Sequence, residues 1–176
     1  GKSRGPDGTL VDPESYLTVD GQPARDPARD AEYTRELGRR IGQAFLREMV
    51  VLPTHFAGWL MFERERRMAP ELDLFALLRT TSGDRHALAV LYADAERVRG
   101  RLVKLERQGR LRLDPGLRSG DIQEVLDEAV RTFGMYHSRS AIERLEDSVV
   151  VRDPKLLFYY GNRLRAFDDA LREDDA

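Results

Sequence analysis

The stretch that most limits how this chain can fold is the apolar run Met49–Phe62, which is broken by Pro53 and followed at once by Glu63-Arg64-Glu65-Arg66-Arg67. A membrane-spanning helix needs roughly 18 to 20 apolar residues. This run has 14 residues and includes Pro53, Thr54, His55 and Gly58, so it does not read as a span. Proline lacks the N–H and clashes with the preceding turn, so a helix must stop or restart at Pro53. The spacing predicts a helix from about Thr54 to Arg67 with Pro53 in its first turn. A helix that is apolar nearly all round belongs in a core.

The rest of the chain must therefore supply a shell of amphipathic helices. Hydrophobic residues make up 41% and charged residues 34%, a balance that folds rather than stays disordered. Tyr33, Leu37, Ile41, Phe45 and Met49 recur every four residues, predicting a helix from about Pro27. Further helices are expected over Glu71–Thr80, over Ala95–Gln108 with Asp94 as its cap and Gly109 at its end, and from Asp121 to about His137. A last one is expected over Lys155–Leu171, opened by Asp153-Pro154. Ala87–Tyr92 fits either a short strand or the first turns of a helix. Arg110–Leu113 and Val149–Val151 read as short strands, and Ser82-Gly83-Asp84 as a turn.

Residues 1–28 hold four of the 14 glycines and half of the eight prolines, with turn dipeptides at Asp7-Gly8 and Asp20-Gly21. They read as a linker or the tail of a preceding domain carrying one or two short strands. The opening GKSRGPDG reads as the continuation of something longer. The expected organisation is a linker over 1–28, a helical domain over 29–172 and an acidic, disordered tail over 173–176. The expected fold class is mainly α: a helical bundle with a few short β-strands and a winged-helix-like centre.

The chemistry visible in the sequence is sparse. There are no cysteines, which removes disulfides and thiolate catalysis, and no metal or cofactor is expected. His55, His86 and His137 each lack a nearby second ligand or an acid at catalytic spacing. A capping or core role is the plainer reading of each. Gly1-Lys2-Ser3 lacks the upstream glycine and strand of a phosphate loop. Between Asp94 and Arg118 the chain carries Arg97, Arg99, Arg101, Lys104, Arg107, Arg110, Arg112 and Arg118 against four acids, a local charge of +4. A helix, a glycine and a basic strand resemble the recognition helix and wing of a DNA-binding domain. Arg97, Arg101, Lys104, Arg110 and Arg112 are its candidate patch. The net charge of −2 argues against nucleic acid and for a solvated helix face. Tyr159 and Tyr160 fit either an acyl groove or a terminal helix docked on the core.

The order YTRELGRRI, VVLPTHFAGWLMFE, DLFALLR, a basic helix ending in glycine, MYH and KLLFYYGNRL resembles the region that follows the catalytic domain in bacterial membrane-associated glycerol-3-phosphate acyltransferases. The resemblance covers roughly residues 27–167, and its marked residues are Pro53, His55, Tyr160 and Asn162. It implies a protein of phospholipid biosynthesis in which a fatty acyl group passes from a thioester carrier to glycerol 3-phosphate. The family's catalytic motif is H-x4-D. Five residues beyond His55, His86 and His137 stand Leu60, Leu91 and Ile142, so the motif is missing here and no catalytic residue carries over. The resemblance therefore implies a non-catalytic helical part, inactive alone, partnered by an upstream catalytic domain and peripheral at the cytoplasmic side of the inner membrane. An exposed edge of Phe56, Trp59 and Leu60, with Arg64, Arg66 and Arg67 at the helix end, is the expected membrane or interdomain surface.

Overall fold

The computed structural model describes residues 3–4, 10–11, 18–19, 22–23, 26–80, 83 and 85–172. The turn dipeptides near residues 7 and 20, most of the turn around Gly83 and the tail 173–176 lie outside them. The chain divides into two compact units, Gly1–Glu48 and Met49–Ala176. That division falls further along the chain than the change in composition near residue 28.

The first unit holds two short antiparallel pairs and one long helix. β1 (Ser3–Arg4) pairs with β2 (Leu10–Val11), and β3 (Thr18–Val19) with β4 (Gln22–Pro23). α1 runs from Pro27 to Glu48. The Asp26 side chain accepts from the Ala28 N–H at 3.1 Å, and proline in the first turn loses no bond. Arg39 and Arg40 both hydrogen-bond Glu36, and together they hold its carboxyl down at about 2.

The second unit is built around one buried helix. Val50–Val51 (β5) leads into α2 (Pro53–Met68), which starts at Pro53 as the sequence demands. Around it stand α3 (Leu74–Arg79), α4 (Leu88–Arg107), α5 (Pro115–Ser119), α6 (Ile122–Tyr136) and α7 (Pro154–Gly161). A 3-10 turn over Asn162–Phe167 and α8 (Asp168–Arg172) follow. Asp73, Asp114, Asp121 and Asp153 each cap the helix that follows, accepting backbone N–H bonds of 2.7–3.3 Å. A three-stranded antiparallel sheet, ordered β6 (Arg85–Ala87), β9 (Ser148–Val151), β8 (Ile142–Arg144), closes one side. The architecture is mainly α with a few short strands. Among the described residues no helix is long and apolar enough to cross a membrane.

Four local expectations change. First, α4 begins at Leu88, so Asp94 lies inside it and is not its cap. The loop between β8 and β9 satisfies the helix start, because the Leu88 N–H donates to the Asp147 carbonyl at 2.9 Å. Burial of Leu91 then draws the apolar segment into the helix. Second, α3 starts at Leu74, because Asp73 captures its first turn. Third, the expected last helix is broken into three pieces. Leu157, Gly161, Leu164, Phe167 and Leu171 all face inward, and the three-residue step from Leu164 to Phe167 is the period of a 3-10 turn. Fourth, the basic strand after Gly109, β7 (Arg112–Leu113), pairs in parallel with β5, Val50 opposite Arg112 and Val51 opposite Leu113. A wing is an antiparallel hairpin, so this centre is not wing-like. Gly109 does end α4, at φ +68°, a conformation that glycine adopts without strain.

Candidate functional site

Where α2 meets α7, the backbones nearly touch. A Cβ on Gly161 would lie 2.7 Å from both N and Cα of Trp59, and one on Gly58 would lie 3.0 Å from the Gly161 N and the Leu157 carbonyl. A side chain at Gly161 would collide with the backbone, and one at Gly58 would fit only if its neighbours gave way by a few tenths of an ångström. Two of the stretches quoted for the resemblance, VVLPTHFAGWLMFE and KLLFYYGNRL, therefore meet in one crossing. Phe62 packs edge-on to Phe158, with ring centroids 5.2 Å apart.

This crossing settles the position of the expected surface residues. Phe56, Trp59 and Leu60 are 0%, 2% and 0% exposed. They are core, not an exposed edge: α6 and α7 both pack on α2. The Trp59 indole N–H donates to Asp168 Oδ1 at 2.8 Å. Arg172 in turn bonds Asp168 at 2.8 Å and grips both oxygens of buried Glu63 at 2.8 Å, and Arg66 reaches the same Glu63 at 3.0 Å. A carboxylate inside the core is thus paired twice and ties α2 to α8.

A second ionic cluster lies on the opposite flank of the α2 terminus. Buried Glu65 and His86 are 2.6 Å apart. Arg64 Nε donates to His86 Nδ1 at 3.4 Å, so the ring carries its proton on Nε2 and donates it to Glu65. Arg64 also pairs with Asp94, which is shared with Arg97. Of the expected basic helix end, only Arg67 is exposed without a bond given above.

The other two histidines are also engaged. His55 Nδ1 accepts the Leu52 N–H at 3.3 Å, a cap at the start of α2. Burial depresses its pKa, and the Arg163 guanidinium adds to this, while a bond to the Val50 backbone pulls the other way. His137 Nε2 lies 2.9 Å from the Tyr160 hydroxyl, and Tyr160 packs edge-on to Phe133 at 5.0 Å. Tyr160 belongs to a docked helix, while Tyr159 projects outward. Among the described residues no group of three or more His, Asp or Glu side chains is placed to hold a metal ion.

The candidate basic patch is only partly a free surface. Arg97 pairs with Asp94, Arg101 donates to the Leu171 carbonyl at 2.7 Å, and Arg110 stacks over Phe167 at 5.4 Å. Lys104 is exposed, and Arg112 is exposed but also engaged.

Sequence reading missed Glu63, Glu65, Asp168 and Arg172 as partners. The available signal was the acids Glu63 and Glu65 at the end of an otherwise apolar helix, which demands buried cations from elsewhere. Which cations answer is a tertiary fact. The chain matches no family model, no curated protein and no solved structure.

Proposed function

We propose that this chain is the C-terminal helical accessory domain of a membrane-associated glycerol-3-phosphate acyltransferase. In this reading it supports an upstream catalytic domain that moves an acyl group from a thioester carrier to glycerol 3-phosphate, in phospholipid biosynthesis. The observation that carries the reading is the glycine crossing. Two of the six stretches that carry the resemblance, VVLPTHFAGWLMFE and KLLFYYGNRL, pack backbone to backbone there, through Gly58 and Gly161. The histidines support a structural role, since each is engaged in a cap, a buried hydrogen bond to a carboxylate or a tyrosine bond.

The proposed place is the cytoplasmic face of the inner membrane. With Phe56, Trp59 and Leu60 inside the core, contact with anionic headgroups falls to exposed Arg66, Arg67 and Lys104. Co-sedimentation with phosphatidylglycerol vesicles at low salt, lost on reversing these three charges, is the expected result.

The decisive test is the coding sequence ahead of Gly1 together with an acylation assay. An in-frame H-x4-D upstream, activity in the protein that includes it, and none in the chain alone are expected. Turnover of an acyl thioester by the chain alone, or an upstream sequence without that motif, overturns the proposal. Retardation of generic duplex DNA at low salt would favour the alternative, a DNA-binding module centred on α4; binding to a partner protein without acyltransferase activity would favour a helical interaction module.

A further inference from the structure

Among the described residues, nothing covers three large side chains of the α1 apolar stripe. Leu37, Ile41 and Phe45 are 59%, 46% and 73% exposed, while the equivalent stripes of α4 and α6 are buried. Three large apolar side chains in one exposed row form a patch that water disfavours. The row beside it, one residue further on, runs through Gly38 and Gly42. A Cβ at either glycine meets nothing within 4 Å. The helix therefore presents a ridge at i, i+4, i+8 and an empty groove alongside it.

A helix that carries ridge and groove side by side is complementary to itself. Rotating a second copy by a two-fold axis places each ridge in the other's groove. This is the packing of i±4 rows, with axes crossing near −50°. Absent side chains at Gly38 and Gly42 let the two backbones approach closely at the centre.

Charge fixes the direction. Residues 26–37 hold Asp26, Asp30, Glu32 and Glu36 against Arg29 and Arg35, which is −2; residues 38–48 hold Arg39, Arg40 and Arg47 against Glu48, which is +2. An antiparallel copy sets the acidic half against the basic half, whereas a parallel copy sets like against like. Antiparallel helix dipoles add in the same sense. Around a centre between Gly38 and Arg40, Leu37 meets Ile41 of the other copy, and Tyr33 meets Phe45.

We infer that α1 is a self-docking helix, and that a second copy of this chain covers its Leu37-Ile41-Phe45 ridge in an antiparallel, two-fold crossing. The inference is independent of the acyltransferase reading. Isologous pairing of this kind closes at two copies and does not propagate.

Sedimentation equilibrium of the full chain tests it. A reversible dimer is expected, with a dissociation constant below about 100 μM. Phe45→Glu and Leu37→Glu should each weaken it roughly tenfold or more, because each removes buried apolar area and inserts a charge. Gly42→Leu, which fills the groove and adds apolar surface, should weaken it as well. A purely non-specific hydrophobic contact would be strengthened by that change. The absence of cysteine makes the orientation readable. Thr34→Cys and Ala44→Cys proteins, mixed and treated with a short bismaleimide, should join 34 to 44. A chain that stays monomeric at about 100 μM, the upper concentration used, overturns the inference. So does a dimer indifferent to Phe45→Glu and Leu37→Glu, a dimer tightened by Gly42→Leu, or cross-linking that joins only 34 to 34 and 44 to 44. Circular dichroism guards against loss of the helix.

Discussion

At the scale of single residues, space and protonation decide most. Gly161→Ala must push a Cβ into the Trp59 backbone, which cannot move without shifting α2. A loss of roughly 1–3 kcal/mol is expected, the ordinary cost of overpacking a well-filled core. Gly100 in α4 is the control, since its Cβ position is open. There the same substitution should stabilise by about 0.5–1 kcal/mol through helix propensity. Urea midpoints of the two variants should move in opposite directions; a shared direction would refute the crossing as drawn. His55 gives a pH signature. Its ring is harder to protonate folded than unfolded, where the ordinary value is 6.5. Above that pH both states are neutral and the group contributes no pH dependence. Below it the unfolded chain takes up the proton first, so stability falls as the pH drops. A protonated ring also cannot accept the Leu52 N–H. The drop in urea midpoint between pH 7.5 and pH 5.5, both chosen about one unit either side of that value, should be smaller in His55→Gln than in the parent chain.

At the scale of elements, ionic clusters do what apolar packing alone does not: they fix which helix ends meet. Glu65 on α2 and His86 on β6 join the central helix to the sheet. Removing His86 takes the 2.6 Å partner from a buried carboxylate. His86→Leu is therefore expected to cost about 1–3 kcal/mol, and the double change Glu65→Leu with His86→Leu should cost less than the sum of the two singles. Strictly additive losses, read from urea midpoints, would contradict the coupling. The pairing is not legible in sequence, because Glu65 and His86 are 21 residues apart and belong to different elements. The element boundaries were more accessible. Pro53, Asp121, Asp153 and Gly109 mark real ends, because caps and left-handed glycines act within one turn. Asp94 misled the reading for the same reason. A side chain suited to capping is equally suited to pairing with Arg64 from another helix.

At the scale of the whole molecule, the division after Glu48 makes a prediction of its own. Residues 49–176 should melt in one cooperative transition, at the midpoint that the second unit shows in the full chain. Calorimetry of the two samples checks this, and a broad, non-cooperative trace for 49–176 would contradict it.

The sequence by itself determined the class of fold, because a 14-residue apolar run broken by proline fits a core helix and does not reach a membrane span. It also determined where most helices start and stop, because those signals are local. Only the tertiary structure decided that Phe56, Trp59 and Leu60 are inside and not on a surface. Periodicity tells which side chains avoid water; it does not tell which neighbour arrives to cover them. Here α6 and α7 both pack on the central helix, and α7 comes so close because Gly58 and Gly161, far apart in the chain, leave room for two backbones to meet.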